Sequence, residues 1–287
     1  MPFDDERPRK VLVAYDGSLA AATAFPLAHA LADQLHAIVE VLYVAPPEGV
    51  DAALWRRLHI DLRPTDEVQI RSNVSDPVAA ILQATHDPGV EIVVLTTHGR
   101  IIEPGRAMGR VAEKVVSATR QPVLLVRPEA PRAPDQQVPP LGRLLLPLDG
   151  TSATATAVRP ATELASRLGA DLDLLYVVSP RQSSKVRERG SIGVPRYIDQ
   201  PHHEWPAWAA RMIDHLGAHI GGQPQDVTMT VFLTVGDVSS EINRFAAEHW
   251  SDAIVLARRS HFEIGRASVL RAVLNDAPCP VMLVAAG

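Results

Sequence analysis

The residues best suited to chemistry fall between Thr96 and Val111, in the run Thr-Thr-His-Gly-Arg-Ile-Ile-Glu-Pro-Gly-Arg-Ala-Met-Gly-Arg-Val. A fully apolar segment, Ile92-Val93-Val94-Leu95, feeds into it, and a helical pattern, Val111-Ala112-Glu113-Lys114-Val115-Val116, leaves it. Strand, glycine-bearing loop and helix N-terminus together suit a phosphate, because converging backbone N–H groups and the helix dipole favour an anion. Gly99 and Gly109 either take positive φ or let a ligand approach bare main chain. Any βα connection also uses glycines, so these residues alone leave both readings open. Arg100, Arg106 and Arg110 could each offer a guanidinium to a phosphate. His98 has no nucleophile beside it and no fixed carboxylate to orient it, so it is not read as catalytic.

Other reactive side chains lead to weaker readings. The single Cys279 excludes an internal disulfide, and its place between Pro278 and Pro280 predicts a buried, inert thiol. Among the 11 histidines, His215 and His219 stand at i, i+4 beside Asp214 on an expected helix, Trp208–Ile220. A solvated helix face accounts for them, since no third metal ligand is fixed. His202-His203-Glu204 shares a segment with Arg181, Lys185, Arg187, Arg189 and Arg196. These cations suit either an acidic partner or a mobile loop. Asp252 and Arg258-Arg259 need no role beyond ending strands.

A chain of 287 residues with 46% hydrophobic and 21% charged residues suits a globular protein of one large or two ordinary domains. The net charge of −5 gives no global field to recruit nucleic acid or an anionic membrane. No apolar run approaches the roughly 20 residues that span a bilayer. The charged start, Met1 to Lys10, lacks the apolar core of a signal peptide. These features predict a cytoplasmic location.

The chain is built from two copies of one unit. Val11-Leu12-Val13-Ala14-Tyr15-Asp16-Gly17-Ser18 recurs as Leu144-Leu145-Leu146-Pro147-Leu148-Asp149-Gly150-Thr151, at an offset of 133 residues. Val41-Leu42-Tyr43-Val44 returns as Leu174-Leu175-Tyr176-Val177 at the same offset. Ser75-Asp76 and Val93-Val94-Leu95 return as Gly236-Asp237 and Ile254-Val255-Leu256 at 161, which implies a 28-residue insertion near 179–207. Pro122 to Val126 returns as Pro280 to Val284 at 158, so the second glycine loop is three residues shorter. Two indels explain every offset. The expected boundaries are a first domain at 1–127, a Pro-rich linker at 128–141 and a second domain at 142–287.

Within the first copy, strands are expected at Lys10–Tyr15, Ile38–Val44, Glu67–Arg71, Glu91–Thr96 and Pro122–Arg127. A helix capped near Ser18 runs to about Leu35 and is kinked at Pro26. Further helices are expected at Asp76–His86 and Arg106–Thr119, with residues 48–62 partly helical. The second copy places strands near 143–148, 171–178, 226–233, 252–257 and 280–284. Apolar strands separated by helices predict a parallel sheet covered on both faces.

Asp-Gly-Ser after the first strand, a His-Gly loop after the fourth and the closing Pro-Val-Leu-Leu-Val resemble the universal stress protein family. The resemblance covers both copies. It implies two doubly wound five-stranded parallel-sheet α/β domains of order 3-2-1-4-5, related by a pseudo-two-fold axis, with ligand at the switch point between strands 1 and 4. Some members bind ATP there through Gly-x-x-Gly-(nine residues)-Gly-Ser/Thr. Gly99 and Gly109 match the second and third glycines. Thr96 stands at the first and Arg110 at the small hydroxyl, while Ile102 and Glu103 replace small residues. The resemblance implies that Asp16 contacts the base, that Ala14 and Val44 line its slot, and that Val111 and Ala112 form the first helical turn. His98 would meet ligand through its backbone.

In the second copy, Ala257-Arg258-Arg259-Ser260 and Ala267-Ser268 replace the glycine positions, and no nucleotide is expected there. Asp149 would remain as a cap or turn residue. The expected function is therefore a cytoplasmic stress-response module binding one ATP or AMP in domain 1, with Mg²⁺ accompanying a triphosphate. The alternatives are a regulatory scaffold with both sites vestigial, acting through a protein partner, and a slow ATP hydrolase. In the resembling family the last strands pair across a two-fold axis, so Val123–Val126 and Val281–Val284 could pair to give an intramolecular pseudo-dimer. Pairing of whole chains into a homodimer is left open.

Overall fold

The computed structural model describes residues 8–44, 62–71, 76–99, 107–128, 138, 140–149, 152–178, 226–258 and 264–285. Arg100, most of the Pro-rich linker, the 179–207 insertion and the expected helix at Trp208–Ile220 with its histidines lie outside them. The chain divides into two compact units, Met1–Pro140 and Leu141–Gly287.

In the first unit the apolar runs form five parallel strands: β1 (Lys10–Tyr15), β2 (Ile38–Val44), β3 (Glu67–Arg71), β4 (Val90–Thr96) and β5 (Val123–Val126). Their order is β3-β2-β1-β4-β5. Helices α1 (Leu19–Ala22), α2 (Phe25–Leu35), α3 (Pro77–Ala84) and α4 (Arg110–Ala118) connect them. The interior strands β1 and β4 are buried along nearly their whole length, as a sheet covered on both faces requires. Val11, Leu12, Val13, Ile92, Val93 and Val94 are fully enclosed. Each such side chain contributes about 1.5–3 kcal/mol by leaving water.

The second unit repeats the plan with β6 (Arg143–Leu148), β7 (Asp171–Val178), β8 (Met229–Val235), β9 (Ala253–Arg258) and β10 (Val281–Ala285). The order is β8-β7-β6-β9-β10, again parallel. Helices α5 (Ser152–Ala155), α6 (Val158–Leu168), α7 (Val238–Glu248) and α8 (Ile264–Asp276) complete it. Each unit is thus a doubly wound α/β domain of order 3-2-1-4-5.

Two helix boundaries differ from the sequence expectation. The expected kinked helix from Ser18 to Leu35 is two helices. Ser18 accepts the Ala21 amide at 3.0 Å to cap α1, which ends after one turn. Pro26 then falls in the first turn of α2, where its missing N–H breaks no intrahelical bond. Helix α4 starts at Arg110 rather than Arg106. Ala107 to Gly109 are not helical, because the Gly109 amide donates to the Thr97 carbonyl at 2.7 Å instead.

The N-terminal ends of the strands carry charge. Lys10 Nζ meets Glu40 at 2.9 Å, Glu67 at 3.1 Å and Asp87 at 3.2 Å. Burial opposes the lysine charge, but the three carboxylates outweigh it and hold its pKa above the ordinary range.

Three helices close with one device. The residue after α2, α6 and α7 or one beyond turns left-handed: His36 at φ 51°, Gly169 at φ 63° and Trp250 at φ 55°. In each case the next amide reaches back to the last turn, Ala37 to Ala32 at 2.8 Å, Ala170 to Ala165 at 2.9 Å and Ser251 to Ala246 at 3.0 Å. Glycine suits this backbone, and His36 occupies in the first unit the place of Gly169 in the second. Because His36 is exposed, His36→Gly should raise stability by about 1 kcal/mol, read from the midpoint of chemical unfolding.

Candidate functional site

Strand β1 pairs with β4 from Val11↔Ile92 to Val13↔Val94 and no further, while it stays paired with β2 to Tyr15↔Tyr43. The chain leaves β1 and β4 toward opposite faces of the sheet, so a crevice opens where they part. Ala14 and Asp16 stand on one lip, and Thr96, His98 and Gly99 on the other; Val44 ends β2 beside them. All six are half-buried. Gly109 precedes α4, whose first turn presents exposed Arg110 and Val111 and buried Ala112.

Asp16 joins the two lips. Its Oδ1 accepts the Ser18 amide at 3.0 Å, a tight turn that Gly17 permits by taking φ 82°. A Cβ on residue 99 would collide with Asp16 Oδ2 and stand 3.2 Å from Cγ. The turn role and the lip-facing role therefore coexist in one carboxylate.

Thr97, which sequence reasoning passed over, ties the base of the glycine loop. Its amide donates to the Val126 carbonyl at 2.8 Å, and its carbonyl accepts from Gly109 at 2.7 Å. Its hydroxyl lies 3.2 Å from His98 Nδ1. Thr97 is 2% exposed. The only sequence signal for it was its place between motif positions, since main-chain bonds leave no residue-type signature.

Neither Gly99 nor Gly109 takes positive φ, so that half of the sequence expectation fails. Their bareness serves close approach instead. At Gly99 the approaching group is Asp16. At Gly109, with φ −71°, an added Cβ would meet, among the described residues, only the Thr97 carbonyl, at an ordinary 3.6 Å. Among the described residues no side chain caps α4 there, whereas Asp76 and Asp237 cap α3 and α7 by accepting from Val78 and Ser240.

In the second unit β6 and β9 part still earlier, after Leu145↔Ile254. Asp149 accepts a hydrogen bond from Thr154 Oγ1 at 2.7 Å. Burial, reinforced by the Asp149 charge, raises the pKa of the Tyr176 hydroxyl. Arg258 holds the place of Thr97 and is 6% exposed. Burial lowers its pKa, so it is more enclosed than an ordinary strand-end residue. Arg259 and Ser260, and the side chain of Ala267, lie outside the described residues; Ser268 is exposed.

Asp252 does more than end a strand: its Oδ2 accepts the amides of Gly142 at 2.9 Å and Arg143 at 2.8 Å. Cys279 is half-buried rather than fully enclosed. Burial, with the nearby Asp252 charge, pushes its thiol up to about 12. Among the described residues no three His, Cys, Asp or Glu side chains group as a metal site. No described helix is long and apolar enough to cross a membrane.

The fold is that of doubly wound α/β domains with a crevice at the switch point. The sequence model of the Universal stress protein family matches residues 57–127 and 140–285, and the chain belongs to that family. A universal stress protein from Archaeoglobus fulgidus DSM 4304 shares 16% identity at a TM-score of 0.60, covering 97% of this chain and 98% of that one. A functionally unknown protein from Pseudomonas aeruginosa PAO1 shares 14% at 0.58, covering 97% and 93%. A universal stress protein from Archaeoglobus fulgidus in complex with dAMP shares 19% at 0.32, covering 50% and 97%. No curated protein matches.

Two outcomes follow from this packing. Gly99→Ala should cost about 2 kcal/mol of stability, and adding Asp16→Ala should recover part of that loss in a double-mutant cycle. Native Cys279 should alkylate at pH 8 about a hundredfold or more slowly than in the unfolded chain, since so little thiolate is present.

Proposed function

We propose that the first unit is an adenine-nucleotide binding module, holding one ATP or AMP per chain, and that the second unit holds none. The observation that carries this is Gly109: a helix start left without a side-chain cap, on a glycine whose missing Cβ no described part of the protein requires. Such a start offers its first-turn N–H groups to an anion. Asp16 then accepts from the adenine amino group, with Ala14 and Val44 against the base. Gly99 and Gly109 let phosphates approach the main chain, flanked by Thr96, His98, Val111 and Ala112. Arg110, where the family motif has a small hydroxyl, and Arg100 add guanidinium charge, and Mg²⁺ accompanies a triphosphate.

The chemistry is binding rather than turnover, because among the described residues no general base is positioned against a nucleophile. The domains are 1–127 and 142–287, joined by the linker 128–141. The protein works in the cytoplasm as a stress-response module that reports nucleotide state to a protein partner.

Calorimetry with ATP and with AMP tests the reading. One nucleotide per chain is expected. Gly109→Ala, whose methyl the protein accommodates, should weaken binding tenfold or more with the unfolding midpoint nearly unmoved. Absence of heat from both nucleotides would favour a scaffold with two vestigial sites. Steady phosphate release from ATP, lost on Gly109→Val, would favour a slow hydrolase.

A further inference from the structure

The repeat carries an ion pair at the N-terminal ends of both sheets, and the two units treat it differently. Lys10 and Glu40 of the first unit become Arg143 and Asp173 of the second, each at an offset of 133 residues. Lys10 reaches Glu40 at 2.9 Å. Asp173 is one methylene shorter, and its carboxylate is 4.0 Å from Arg143 Nε, beyond hydrogen bonding. The Asp173 side chain is 7% exposed, and its Oδ2 has no hydrogen-bond partner among the described residues. Arg143 Nη1 donates instead to the His249 carbonyl at 3.3 Å, just past the last turn of α7. Leu145 on β6 and Thr230 on β8 flank Asp173 in register, and neither titrates. The charged and titratable groups facing it are Arg143 from β6, His249 from the end of α7 and Asp171 on its own strand.

We infer that Asp173 is a proton-operated catch: protonated, it leaves Arg143 on the His249 carbonyl, and ionised, it draws that guanidinium off the end of α7. An ionised carboxylate with one buried oxygen left unbonded is more costly than the neutral acid. Burial raises the pKa of Asp173; Asp171 adds to the rise, and Arg143 and His249 oppose it without cancelling it. A folded value above the unfolded one means that the folded unit binds the proton more tightly. Its contribution to stability is therefore fully present below the ordinary carboxylate range and is lost as pH rises through the folded value. Acidification tightens the end of α7, where the backbone passes into the 85% exposed, left-handed Trp250. The first unit has no such catch, since Lys10 stays on Glu40.

The carboxyl carbon resonance of Asp173 in the full chain, assigned through its own β-protons, reads the proton directly. Its midpoint should lie above the ordinary value of about 4, and Arg143→Ala should move it higher still. The backbone amides of Trp250 and Ser251 should follow the same midpoint, and Asp173→Asn should abolish that step. A midpoint at or below about 4, or amide shifts that keep the step in Asp173→Asn, would overturn the catch. The wild-type titration decides the first point even where the asparagine variant fails to fold.

Discussion

The carboxylate of Asp16 fills the volume that a side chain on residue 99 would need. The loops leaving β1 and β4 meet at this contact, which a residue without a Cβ at position 99 permits. The turn at Gly17 aims the carboxylate, and the main-chain bonds of Thr97 hold the facing loop in place. Binding groups on loops need such rigid support, because a shift of an ångström would misplace every backbone N–H at the start of α4. In the second unit the aspartate has a different neighbour. Asp149 is held by Thr154, and a buried arginine takes the place of the threonine that organises the first loop.

The strands were legible because each is a short apolar run bounded by polar or breaking residues, and a parallel sheet buried on both faces produces that pattern. The duplication was legible because two indels account for all its offsets. The positions of Asp16 and Gly99 beyond β1 and β4, and of Gly109 at a helix start, were legible too. The break between α1 and α2 was not, since Pro26 reads equally as a kink in one helix or the opening of another. The true start of α4 was hidden for a different reason. It is set by a main-chain hydrogen bond from Gly109 to Thr97, which any residue pair could make. The enclosure of Arg258 and the crowding of carboxylates around Lys10 are tertiary facts, and periodicity carries no trace of them.

Duplication lets one copy keep a costly arrangement while the other changes it, and the two ends of these sheets show that choice separately. At the C-terminal ends the first unit leaves bare backbone at Gly109 and leaves α4 uncapped, which forgoes about 1 kcal/mol that a capping side chain would supply. A serine or aspartate at that position would cap the helix, as Asp76 and Asp237 do on α3 and α7. At the N-terminal ends the economy is reversed. The first unit surrounds Lys10 with three carboxylates, whereas the second buries Asp173 with its Oδ2 lacking a hydrogen-bond partner among the described residues. Exchanging lysine for arginine and glutamate for aspartate preserves charge but not reach. A flexible ammonium can follow a buried carboxylate inward, while a planar guanidinium held by a helix-end carbonyl cannot do both at once. Sequence similarity at these positions thus conceals different energetics: an ion pair closed to 2.9 Å in one copy, and in the other a carboxylate whose charge depends on what the neighbouring arginine holds.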